Sequence, residues 1–370
     1  MMMPSSLDFP CPLPLPESPD IATRADSQQC LRYARAWFEK CQKEHVQCSL
    51  PPEVIQLPTR VLDLADTHPR LLVSNGKLGS YAALSYTWGL QDNFTTKREN
   101  LKAFQNQLPS SQIPTTIRDA IQVAHNLGLR YLWVDALCIV QDDPLDWERE
   151  AGRMAQVYGN ADLVIAACSA SGSHQGFLHQ IRRHPQGSVF SYNERDPSNP
   201  YCIKYGMGSQ NQLSLDEGPL AKRAWAYQER VLARRYLCYS PEELSWHCNG
   251  IETCECSYDK PSSEHSLIDS NRTAWMKLAK DNEANIACLT SEEKSTADIY
   301  ETWMARIVPA YTKRALTKES DRLIAISAVA TRLGQRLQDK LNFGLWQGQM
   351  VQQLGWDGFL PKEYVAGAPT

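Results

Sequence analysis

The chain has no apolar run approaching the roughly 20 residues that a bilayer span requires. Its start, Met1–Ala22, is rich in Pro and Ser and carries no basic segment followed by an apolar core. Neither a membrane span nor a secretory leader is expected, and the sequence reads as cytoplasmic. Positive charge is not in excess either: 38 Lys and Arg stand against 42 Asp and Glu, a net charge of −4. That leaves no basic footprint for a polyanion, so nucleic acid is not an expected partner. G-x-G-x-x-G and G-x-x-x-x-G-K-[ST] are both missing, which removes the standard dinucleotide fold and the P-loop. C-x-x-C pairs are missing too, and no internal repeat is visible.

What is present suffices for a buried core, since 42% of the 370 residues are hydrophobic. The 12 cysteines read as reduced thiols rather than a disulfide framework, because Cys138, Cys168 and Cys238 lie inside apolar, strand-like runs. Cys41-x-x-x-His45-x-x-Cys48 offers three zinc-type ligands, and His247, Cys248, Cys254 and Cys256 form a second group; a joint four-ligand site between them is one reading. The other is that cysteine serves as a small buried apolar residue. No metal site is assigned from the sequence.

Along the chain, residues 1–28 form a Pro-rich tail expected to be disordered. Residues 29–256 read as one domain, 257–295 as a polar linker and 296–370 as a helical extension. Cys30, Tyr33, Ala34, Trp37 and Phe38 fall on helical spacing. Arg60–Leu64 and Leu71–Ser74 suggest a hairpin, and Tyr81–Tyr86 a core strand. Pro114–Gly128 predicts a helix with Ile117, Ala120, Ile121 and Ala124 inward. A strand at Tyr131–Val134, a helix at Asp146–Tyr158 with Trp147, Ala151, Met154, Ala155 and Tyr158 inward, and a strand at Leu163–Ala167 follow. Helix and strand alternating with short joins imply a parallel α/β sheet. Residues after Gly176 read as an insertion, followed by a helix around Lys222–Leu232 and strands Tyr236–Tyr239 and Leu244–His247. Ile299–Tyr311 and Asp321–Leu337 look helical.

Three stretches place polar and aromatic residues at the end of an apolar run: Tyr81-Ala-Ala-Leu-Ser-Tyr-Thr-Trp-Gly89, Arg130-Tyr-Leu-Trp-Val-Asp-Ala-Leu-Cys-Ile-Val-Gln-Asp142 and Arg223-Ala-Trp-Ala-Tyr-Gln-Glu-Arg230. In this order they resemble the heterokaryon-incompatibility (HET) domain of filamentous fungi. The flanks, Trp37 with Cys41, His45 and Cys48, Leu316–Leu323 and Gly344-Leu-Trp346, are similar in style. The resemblance implies a role in non-self recognition and programmed cell death. It further implies a TIR/flavodoxin-like parallel sheet core, since HET domains have been likened to the TIR domain, which in several lineages cleaves NAD+ at the nicotinamide glycosidic bond. TIR enzymes carry their catalytic glutamate on a helix, four residues after a tryptophan. Trp225-Ala-Tyr-Gln-Glu229 has that spacing, with Ala226 where a cysteine often stands.

Glu229 is therefore the candidate catalytic carboxylate. Ser85, Trp88, Gly89, Asp135 and Trp225 are the candidate substrate-binding residues: a hydroxyl for a sugar or phosphate, an indole to stack on a base, a glycine for close backbone approach, and an acid leaving a strand end. NAD+ would be a substrate, with no cofactor. Alternatives remain beside this reading. Glu229 would pair with Arg230 or Arg234 on a solvated helix face, while Asp142, Asp143 and Asp146 would cap a helix. Cys138 with His125, His174 or His247 would make a nucleophilic dyad, which its apolar context disfavours. As alternatives to the enzyme, the protein would be a non-enzymatic module acting by self-association, or an inactive paralogue. No oligomerisation module or repeat array accompanies the motifs, so the trigger is expected from a separate recognition protein or the flanks. The carboxyl end reads as that of a shortened member.

Overall fold

Short apolar runs bounded by turn residues become the strands β1 (Arg60–Asp63), β2 (Arg70–Val73), β3 (Tyr81–Ser85), β4 (Tyr131–Trp133), β5 (Leu163–Ala166), β6 (Ser188–Tyr192), β7 (Tyr201–Tyr205), β8 (Arg235–Tyr239), β9 (Leu244–Cys248) and β10 (Glu252–Cys254). In the computed structural model, residues 21–50, 55–66, 68–90, 94–182, 188–192, 201–205, 218–255 and 295–354 are described. Most of the expected Pro-rich tail, nearly all of the polar linker, and Cys256 lie outside them. Eight strands form one sheet in the order β10-β9-β8-β5-β3-β4-β1-β2, and β6 pairs with β7 in a separate hairpin.

The four central strands β8, β5, β3 and β4 are parallel, and the strands flanking them on both sides run antiparallel. Strands with no exposed side, such as β1, β3, β4 and β5, are buried along their whole length, as expected when both faces of a parallel sheet are covered. β4 and β5 are not neighbours: β3 lies between them and pairs with both. The order thus reverses between β3 and β5, a topological switch point at whose carboxyl ends ligands bind in open α/β sheets.

Helices cover the sheet. α1 (Gln28–Glu44) starts where the Ser27 side chain accepts from the Cys30 amide, and it buries Cys30, Tyr33, Ala34, Trp37, Phe38 and Cys41, with Phe38 edge-on to Trp246 of β9. Ahead of it, Arg24 bridges Ile181 and Ala25 is buried, so the last residues of the expected tail lie against the body. α2 (Leu101–Asn106) and α3 (Thr115–Asn126) connect β3 to β4. α3 buries Ile117, Ala120, Val123 and Ala124, with Ile121 partly covered.

Between β4 and β5 lie α4 (Asp135–Cys138), α5 (Pro144–Ala151) and α6 (Met154–Asn160). The single amphipathic helix expected over Asp146–Tyr158 is broken at Gly152 and Arg153, and α5 buries Asp146 and Glu150 instead of Trp147 and Ala151. The reason is Arg60, buried on β1, which bonds Asp146 and the Cys138 carbonyl, while Thr59 donates to Glu150. One cation and one hydroxyl, Arg60 and Thr59 from the β1 segment, turn the acidic face inward, which apolar periodicity cannot reveal.

α7 (Ala224–Leu232) precedes β8. A helical carboxyl-terminal region follows: α8 (Thr296–Thr302), a π-helical turn (Trp303–Ile307), α9 (Val308–Thr312) and α10 (Ile324–Leu337). This region braces α7, for the Gln228 side chain accepts from the Ala328 amide and the backbone of Lys222 and Ala224 pairs with that of Ala315. Among the described residues no helix is long and apolar enough to cross a membrane.

Candidate functional site

At the carboxyl end of β3 the fully buried Ser85 hydroxyl donates to Glu229 Oε2 at 2.5 Å. Glu229 reaches it from the second turn of α7 and is only 2% exposed. β4 ends nearby, and Asp135, the first residue of α4, accepts from Trp88 Nε1 at 2.8 Å. Arg223, directly ahead of α7, donates to the Tyr86 carbonyl. The Tyr158 hydroxyl, from α6, donates to the Leu84 carbonyl at 3.1 Å and lies close enough to Glu229 to act on its titration.

These side chains share one electrostatic environment. Burial raises Glu229 from its ordinary value to about 7; Arg223, Ser85 and Tyr158 act against the rise, and Asp135 adds to it. Asp135 is likewise raised by burial, opposed by Arg223, by the bonds from Trp88 and Ala136, and by the nearby Tyr86 hydroxyl. Burial also raises Tyr86 and Tyr158 well above the usual phenol range. The buried Tyr86 hydroxyl lacks a hydrogen-bond partner of good geometry while lying in the field of Asp135, Arg223 and Glu229. Two acids beside one guanidinium, with hydroxyls between them, can hold a polar ligand and carry a proton near neutral pH.

Gly89 has φ +83°, and a Cβ there would meet the Gly172 Cα at 3.0 Å. This glycine therefore lets the segment after β3 lie on the segment after β5, where the Ser173 amide donates to the Trp88 carbonyl at 3.1 Å. Of the residues named from the sequence, Ser85, Trp88, Gly89, Asp135 and Glu229 thus surround the switch-point end of the sheet. Trp225 lies one turn before Glu229, half-buried against the core, outside the hydrogen-bonded set among the described residues. Tyr86 and Arg223 stood unremarked inside the motifs, whereas Tyr158 read as plain core.

Other sequence readings resolve differently. Glu229 is not on a solvated face, and Arg234 instead donates to the carbonyls of Cys48, Gly159 and Ala161. Asp143 caps α5, accepting from Leu145 and Asp146 amides; Asp142 accepts from the Arg98 amide, and Asp146 is ion-paired with Arg60 and Arg149. Cys138 is buried, its thiol pushed up to about 12 by burial. Among the described residues seven cysteines are free and buried, while Cys254 is joined in a disulfide.

Elsewhere, Cys41, His45, Cys48 and Cys248 bring their ligand atoms within 4.8 Å of one another. His247 of the second sequence cluster turns away, its Nε2 3.1 Å from Ser245 Oγ. A cavity of about 600 Å³, lined by Gly79, Ser80, Asp162, Arg234 and Arg235 among others, lies at the amino ends of β3, β5 and β8, the end opposite to Ser85. The chemistry-bearing group therefore lies at the end of the sheet opposite this cavity, with Trp88, Asp135, Arg223 and Trp225 half-buried around a covered Ser85–Glu229 pair.

No curated protein and no solved structure matches the chain. Residues 81–229, from the first residue of β3 to the carboxylate that Ser85 holds, match the family model described as heterokaryon incompatibility protein (HET). The chain thus carries a HET domain, the domain of heterokaryon-incompatibility-type proteins, whose matched span begins and ends on the strand and the helix that make this site.

Proposed function

We propose that this protein acts in fungal non-self recognition as a cell-death effector of the cytoplasm, and that its HET domain cleaves NAD+ at the nicotinamide glycosidic bond. The observation that carries this reading is the convergence of Glu229, Ser85, Asp135 and Arg223 at the carboxyl ends of parallel strands beside the switch point. Numbered among themselves, the four parallel strands run 2-1-3-4, the order of flavodoxin-like sheets. That order supports the TIR-like comparison.

In the reaction, water adds to the ribose carbon as the bond to nicotinamide breaks, giving ADP-ribose, nicotinamide and a proton. Positive charge develops on the ribose ring in the transition state, and an ionised Glu229 stabilises it. A carboxyl poised near pH 7 is ionised in a large fraction of molecules at neutral pH. Asp135 holds a ribose hydroxyl, and Arg223 supplies positive charge for the pyrophosphate.

A second reading, a module that signals by self-association without turnover, is favoured by the coverage of Ser85 and Glu229. Expression of the wild type and Glu229→Gln in a fungal host, with growth and cellular NAD+ followed together, separates the two. The enzyme reading predicts growth arrest with NAD+ depletion in the wild type alone; arrest by both proteins at constant NAD+ would support self-association.

A further inference from the structure

We propose that Cys41, His45, Cys48 and Cys248 form a structural zinc site that staples α1 and the turn after it to the end of β9. The four come from separate features of the chain: Cys41 from the last turn of α1, His45 from its cap, Cys48 from the 3-10 turn Val46–Cys48, and Cys248 from the last position of β9. Their ligand atoms lie within 4.8 Å of one another, and His45 Nδ1 is 3.3 Å from Cys248 Sγ. Zinc–sulfur bonds of about 2.3 Å in a tetrahedron place sulfurs roughly 3.8 Å apart, so this separation suits one ion. Three thiolates and an imidazole are a soft donor set that selects zinc over magnesium or calcium.

The surroundings supply what such a site needs. Three thiolates and one neutral imidazole leave a net charge of −1 around a zinc ion. Arg235 Nε donates to Cys41 Sγ at 3.1 Å and so offsets it. The Ile251 amide donates to Cys248 Sγ at 3.4 Å, the outer-shell N–H contact that orients and stabilises a metal-bound sulfur. Gly250 closes the turn over the site: a Cβ there would strike His45 Cγ and Nδ1 at 2.8 Å. Cys41 and Cys48 are fully buried, while His45 is half-buried and marks the approach from solvent. The sequence contains no C-x-x-C pair because the donors are delivered by one turn of helix, one 3-10 turn and a strand about 200 residues away.

The test is the zinc content of the full chain purified under reducing conditions, together with cobalt exchange. The proposal predicts one zinc per chain, and visible absorption of tetrahedral cobalt–thiolate that reaches its end point at one equivalent. His45→Ala and Cys248→Ser should weaken binding by more than about 100-fold, and Arg235→Gln by about 10-fold. His45→Cys should retain the ion in a four-thiolate site with a shifted cobalt spectrum. Folded, reduced wild type without zinc and without saturable cobalt binding would overturn it, and so would binding undiminished in Cys248→Ser. Should the variants fail to fold, the wild-type zinc content and cobalt end point decide the matter.

Discussion

Ser85 Oγ donates to Glu229 Oε2 at 2.5 Å, joining two residues 144 positions apart. One ends the first parallel strand of the sheet and the other sits on the helix that enters the last. A bond of this kind is strongest when the acceptor is charged. Ser85→Ala should therefore destabilise the fold by about 1.5–3 kcal/mol above pH 7, where Glu229 is ionised, and by less in mildly acidic solution, where it is neutral. Urea titrations at the two pH values check this.

The same carboxyl gives stability a pH dependence of definite sign. Glu229 rises from 4.5 to about 7 on folding, so the folded state binds the proton more tightly. The stabilisation from this group is complete below about pH 4.5 and is lost as pH rises through 7. Its size is about 3 kcal/mol. Glu229→Gln should abolish this component, so the stability difference between wild type and variant should change between pH 5 and 8. Asp63, held at about 2 chiefly by the bond from Arg130, acts in the opposite window, and its contribution falls only in strong acid.

Asp135 and Trp88 separate charge from hydrogen bonding. Asp135→Asn keeps an acceptor for the indole N–H and removes a charge that raises Glu229. Its NAD+-cleaving activity should therefore extend to lower pH than that of the wild type. Trp88→Phe removes a donor that lowers Asp135, so the Asp135 carboxyl should rise further, which NMR titration of the carboxyl carbon would detect.

Arg60 and Asp146 form a buried ion pair between β1 and α5. Asp146→Ala leaves the guanidinium buried without that partner and should cost about 3–5 kcal/mol, whereas Arg60→Met with Asp146→Leu should recover much of the loss. Thermal or chemical unfolding of the double-mutant cycle measures the recovery. This pair lies away from the Ser85–Glu229 bond, so the double variant should retain whatever activity the wild type has.

Much of the parallel core was legible because α3, β4, α6 and β5 carry local periodicity: apolar faces spaced for helices, short β-rich runs for strands. The strand order was not, since β3 separates β4 from β5 through pairings between distant segments. α5 misled for an electrostatic reason, its buried face being acidic. At the site, Ser85 and Asp135 could be picked out because each ends or follows an apolar run in a distinctive motif, and Glu229 because the resemblance supplied a tryptophan-to-glutamate spacing. Tyr158 could not, because nothing local distinguishes a core tyrosine from one whose hydroxyl lies beside a buried carboxylate. The Cys–His cluster was half legible: Cys41, His45 and Cys48 share a segment, but only tertiary structure selects Cys248 over His247.

The central claim concerns the Ser85–Glu229 pair, and nicotinamide release from NAD+ by purified, folded protein near pH 7 tests it most directly. Wild type should release nicotinamide, and Glu229→Gln, verified as folded, should be slower by at least about 100-fold. No release from concentrated wild type, or equal release from both proteins, would contradict the account.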